Sequence, residues 1–200
     1  MSLTFNQKNP PTVFIDTTVL CGAIRTNGIN RNLLKLARFP HIYIPVLSKV
    51  CLLEFVRNAS NGIGRGEKMV KYDEYEISGF INEFLEPIFD HYSELPVNSI
   101  VGRYSVETII RESRPIGEIL AELSGCADEV AKEIAASQEM SEPLYRFDQD
   151  DFHVWVTAIQ EECDYIVTAN KRRFPAEIGK IKRIHPAVFY DQLTTSGSYT

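Results

Sequence analysis

Residues 151–175 read DFHVWVTAIQEECDYIVTANKRRFP, and their reading decides the fold. Asp151 stands where a helix should begin, and Val154, Val156, Ala158 and Ile159 follow as its buried positions. Ile166-Val167-Thr168 is too short for a helix and β-branched throughout, so it reads as a central strand of a parallel sheet. A Thr168-x-Asn170 turn then leads into Lys171, Arg172 and Arg173. Ligands of an open parallel sheet bind beyond the C-terminal ends of its strands. Asn170 stands at such an end, and carboxylates delivered to the same edge would complete a site there.

The N-terminal part supplies them. Thr12-Val13-Phe14-Ile15 reads as a buried first strand, with Asp16-Thr17-Thr18 at its C-terminal end and a helix from about Val19. An Asp in that place also serves as a helix cap or turn residue. Residues 30–38 form a short amphipathic helix with Leu33, Leu34 and Ala37 inward. His41 to Pro45 reads as a second strand, stopped by its proline. Ser48 caps a helix with Val50, Leu53 and Val56 on one face and Glu54 and Arg57 nearby.

Residues 58–66 are glycine- and asparagine-rich and read as a flexible loop. Helical spacing then runs over Tyr72 to Leu95, where Pro87 kinks or splits the helix, and over Pro115 to Gln138. The aromatic stripe of the first reads as packing, and residues 60–147 as a helical insertion. Ile181 to Ile184 is a last strand and Ala187 to Leu193 a terminal helix. The order β-α-β-α, insertion, α-β-β-α predicts a three-layer α/β fold, its central parallel sheet flanked by helices, in a single domain over residues 1–200.

The chain carries a net charge of −6, unevenly spread. Residues 73–142 hold 16 acids against four bases, whereas residues 17–57 and 171–183 each hold six bases and one acid. Two basic segments thus flank a few isolated acids, a pattern that permits phosphate binding. No apolar run approaches the roughly 20 residues of a membrane span, and the N-terminus MSLTFNQKNPP lacks a signal-peptide core. The expectation is a cytoplasmic protein without a membrane partner. Cys21, Cys51, Cys126 and Cys163 are widely spaced with no Cys-x-x-Cys pair, which favours free thiols over a zinc site.

Asp16, Glu54 and Asp151 fall at a strand end, on a helix after a strand and at a helix start. If the first and penultimate strands are neighbours, these acids and Asn170 meet above the sheet. Clustered carboxylates repel one another and persist only with protons or a cation. All-oxygen ligands select hard cations, Mg²⁺ or Mn²⁺. Thr17 and Thr168 could orient ligands, with turn bonding as the equal alternative. Asp148 could support the metal-binding acids from behind or simply cap the helix. His153, about 200° round the helix from Asp151, is expected to face away and be structural.

The segments VFIDTTVL (13–20), DFHV (151–154), DYIVTAN (164–170) and Phe174-Pro175 resemble PIN domains, closest to the VapC-type toxins of toxin–antitoxin pairs. The resemblance covers about residues 12–58 and 148–193. It implies a metal-dependent ribonuclease that hydrolyses RNA phosphodiester bonds, with Asp16, Glu54 and Asp151 as metal ligands and catalytic residues. Asn170 takes the fourth catalytic position, often Asp in the family. Mg²⁺ or Mn²⁺ would be the cofactor and RNA the substrate, contacted by Lys171, Arg172 and Arg173. An antitoxin protein and further copies of the chain are partners it leaves open. The rival expectation is a catalytically weak PIN-like module that binds RNA or a protein partner. A different phosphoryl-transfer fold is a distant third, since no Asp-x-Asp follows the first strand and no P-loop is present.

Overall fold

The computed structural model describes residues 10–39, 41–89 and 114–196. Among these residues five strands make one sheet: β1 (Thr12–Ile15), β2 (Ile44–Val46), β3 (Tyr165–Val167), β4 (Glu177–Ile178) and β5 (Ile181–Ile184), in the order β2-β1-β3-β5-β4. β1 runs parallel to β2 and β3, and β3 parallel to β5; only β4 is antiparallel. The architecture is α/β with a mostly parallel sheet and fits a three-layer arrangement. From β1 the chain moves to one side of the sheet, and from β3 to the other. The order therefore reverses between β1 and β3, where such a sheet opens a crevice.

The strands are apolar because they are covered. Val13, Phe14, Ile15 and Val167 are fully buried, which is what short β-branched runs require in a parallel sheet. β1 and β3 are tied at their start by Asp164, whose carboxylate accepts from Thr12 N at 2.9 Å and whose N–H donates to Thr12 O at 2.8 Å. β2 departs from the sequence expectation: Pro45 does not stop the strand but lies inside it. Ile44 N–H bonds inward to Pro11 O, so the next residue's nitrogen faces out, and an outward nitrogen needs no hydrogen.

The helices are α1 (Thr17–Arg25), α2 (Ile29–Arg38), α3 (Lys49–Asn61), α4 (Glu74–Phe80), α5 (Ile116–Ser124), α6 (Asp128–Ala136), α7 (Phe152–Gln160) and α8 (Pro186–Ser196). Asp16 caps α1 through Thr18 N, and Ser48 caps α3 through Cys51 N. α3 runs on to Asn61 and consumes the first half of the expected 58–66 loop. Its buried face is Cys51, Phe55 and Ala59; Leu53, expected inward, is exposed. α7 is buried on every side, from Val154 to Ile159, because it lies between β1 and α5.

The helix expected over 115–138 is two, broken at Gly125, which takes the left-handed conformation (φ 62°) that closes α5. The helix expected from Tyr72 starts at Glu74 behind a capping box formed by Asp73 and Glu76. It passes into a π-helical turn over Ile81–Leu85 ahead of Pro87, and its expected end, residues 90–95, lies outside the described residues. The described part of 60–147 shares the sheet's core: Phe80 packs on Phe55 at 5.4 Å between ring centres, and Leu120 joins the same apolar cluster. Phe147, Phe152 and Phe174 surround fully buried Trp155 edge-on, so Phe174 is an anchor of the core. Among the described residues no helix is long and apolar enough to cross a membrane.

Candidate metal-binding cleft

At the C-terminal ends of β1 and β3 a cleft of about 430 Å³ is lined by residues including Asp16, Thr17, Thr18, Glu54, Asp151, Arg25 and Arg57. The three acids reach it from separate elements: Asp16 directly follows β1, Glu54 sits on α3, and Asp151 ends a 3-10 turn (Gln149–Asp151) ahead of α7.

Each carboxylate accepts a hydrogen bond from a neutral side chain. Asp16 is buried, and its Oδ2 accepts from Thr168 Oγ1 at 2.6 Å, from Thr18 Oγ1 at 2.5 Å and from Thr18 N at 3.3 Å. Thr18 Oγ1 in turn accepts from Ala169 N at 3.0 Å, which locks the two strand ends together. Thr17 Oγ1 donates to Glu54 Oε2 at 2.9 Å. Asn170 donates from Nδ2 to Asp151 Oδ2 at 2.7 Å, while its side-chain oxygen accepts from Arg172 N at 3.1 Å. Asn170 thus faces Asp151 with a donor, and the oxygen expected to serve the site is engaged by backbone. It positions Asp151.

The charges are unequal. Burial, the Asp16 charge and the Asp148 charge push Asp151 up to about 7, against a smaller pull from His153. Glu54 moves the other way: burial would raise it, but the bond and charge of His153, with Thr17 and Arg57 adding, hold it below the usual carboxylate range. His153 Nε2 lies 3.5 Å from Glu54 Oε1. Burial opposes the imidazole's charge, yet its contacts with Cys51 and Glu54 raise it to about 10. The expectation that His153 faces away is therefore corrected. The count of 100° per residue placed His153 off the face of Asp151, and His153 is not among the residues that line the cleft; what it could not show is that Glu54, contributed by α3, meets the imidazole there.

The expected phosphate-binding bases fall differently. Lys171, Arg172 and Arg173 are exposed but do not line the cleft, and the Arg173 guanidinium is bound to the carbonyls of Arg146 and Tyr145. Arg25 and Arg57 line it instead. The signal for them was the basic character of residues 17–57, not the triplet after Asn170. Asp148 accepts from Asp150 N at 3.3 Å and shapes the turn that presents Asp151.

All four cysteines are free. Cys51 is fully buried, and its Sγ, a Glu54 oxygen and a His153 nitrogen all lie within 4.8 Å of one another. Asp16, Glu54 and Asp151 do not close to that spacing as a trio. Comparison of the chain with family models, with curated proteins and with solved structures finds no match.

Proposed function

We propose that the chain is a PIN-like endoribonuclease dependent on Mg²⁺ or Mn²⁺. The observation that carries this reading is that Asp16, Glu54 and Asp151, from three separate elements, line one cleft at the sheet's switch point. The donor set fits a hard cation: the carboxylates are oxygen ligands, and Mg²⁺ keeps several waters and takes one or two carboxylates. Asp151, held up to about 7, is a carboxyl that a nearby cation would ionise. When bound, such an ion polarises the scissile phosphate and acidifies a water.

The protein's part is orientation. Thr18 and Thr168 fix Asp16, Thr17 fixes Glu54 and Asn170 fixes Asp151, so the acids meet a cation without rotamer search. Arg25 and Arg57 on the cleft wall offer positive charge to the phosphates of a bound strand.

A second reading, a module that binds RNA or a protein partner without cutting, rests on two contacts. His153 already counters the Glu54 charge, and Asn170 gives a donor where an oxygen ligand was expected. Labelled mixed-sequence RNA incubated with Mg²⁺ or Mn²⁺ separates the two. Cleavage by the wild type, abolished by chelator and lost in both Asp16→Asn and Asp151→Asn, is the expected result. RNA left intact, or cut equally by all three proteins, would leave the binding module as the account.

A further inference from the structure

Beneath the cleft lies a second set of ligand atoms of another chemical kind. Cys51 Sγ, a Glu54 carboxylate oxygen and a His153 nitrogen lie within 4.8 Å of one another, contributed by α3 and α7. We propose that these three side chains form a binding site for a borderline-soft divalent cation of the Zn²⁺ class, separate from the oxygen-lined cleft but sharing Glu54 with it.

Sulfur, imidazole nitrogen and carboxylate oxygen together are the donors zinc takes, and a thiolate is a poor ligand for Mg²⁺. Ligands at about 2.0–2.3 Å from a tetrahedral ion stand about 3.3–3.8 Å apart. Glu54 Oε1 and His153 Nε2, 3.5 Å apart, already have that spacing, and the Cys51 sulfur lies within 4.8 Å of its two partners. Glu54 is also oriented from behind, because Thr17 Oγ1 holds Oε2 and leaves Oε1 turned to the imidazole.

A further observation is the state of His153. Nε2 faces the Glu54 carboxylate at 3.5 Å, while Nδ1, on the far side of the ring, is buried without a hydrogen-bond partner, so Nε2 is the nitrogen turned to the set. The set is not a thiol nucleophile with its base: Cys51 is fully buried, so no acyl or phosphoryl group can reach its sulfur. Glu54 lines the cleft and is the route by which an ion enters. Charge balances, since a dication meets a thiolate, a carboxylate and a neutral imidazole; the thiol and imidazolium protons pass to solvent as it binds. The fourth position is left to water, as in zinc sites with three protein ligands. With Glu54 drawn to this ion, the cleft above retains Asp16 and Asp151.

The test is Co²⁺ titration of the full chain under reducing conditions, read by the near-ultraviolet sulfur-to-cobalt charge-transfer band, with Zn²⁺ added to displace it. One equivalent with that band, lost in Cys51→Ser and bleached by Zn²⁺, is expected. Should Cys51→Ser fail to fold by circular dichroism, His153→Gln decides, with an expected loss of Co²⁺ affinity of about tenfold or more. Absence of the band in the wild type, its survival in folded Cys51→Ser, or unchanged affinity in His153→Gln would overturn the site. None of these readouts depends on RNA cleavage, so failure here and failure of the nuclease reading remain distinguishable.

Discussion

Asp151 is the residue whose charge state matters most. A carboxyl with a folded pKa above its unfolded value binds its proton more tightly when the protein is folded. Its contribution to stability is therefore largest below about pH 4, its ordinary value, and is lost as pH climbs toward about 7. Asp151→Asn is expected to raise stability at pH 8 by about 1–2 kcal/mol, a figure reduced for solvent screening. Near pH 4 the gain should vanish, and urea unfolding at the two pH values checks this. Because a cation competes with that proton, Mg²⁺ should raise the melting temperature more at pH 8 than at pH 6. Equal shifts at both would mean that Mg²⁺ does not meet Asp151.

At the scale of elements, the N-terminus of α3 governs both ligand sets. Ser48 caps it through Cys51 N at 3.1 Å, one turn before Glu54. Ser48→Ala should lower stability by about 1 kcal/mol, read from the urea midpoint, with m unchanged. Strands and most helices were legible in the sequence because β-branched runs and capping residues are local signals: β1 lies where Thr12 to Ile15 predict it, and Ser48 caps α3. The neighbouring of β1 and β3 could enter only as a condition, since pairing partners are not written locally; the structure supplies it. β4 was missed because two residues, Glu177 and Ile178, are too few to show alternation. Within the site, Asp16 at a strand end, Glu54 on a helix and Asp151 at a helix start were legible as local positions, while their arrival at one cleft rested on β1 lying beside β3. The contact of His153 with Glu54 was not legible, because it joins α7 to α3, and contacts between separate elements leave no local signal.

For the whole molecule, the balance of charge sets how RNA can be held. The net charge of −6 repels a polyanion, and the cleft offers Arg25 and Arg57. Two phosphate contacts to a single strand give a log–log salt slope of about −1.4. Fluorescence anisotropy across salt concentrations should find that value in Asp16→Asn, which does not cut, and about half of it when Arg57→Ala is added. A slope steeper than about −4 would instead require a broad basic surface.

The proline in β2 matters at a scale beyond the single chain. β2 is an outer strand of the sheet and displays half-exposed Ile44, the kind of border along which one molecule's sheet can grow into the next. Pro45 takes away an outward hydrogen-bond donor there, and on the opposite border β4 is only two residues long. Edge-on polymerisation is thus discouraged at both borders, and at crowded concentrations the width of the sheet is kept by a residue that belongs to neither ligand set.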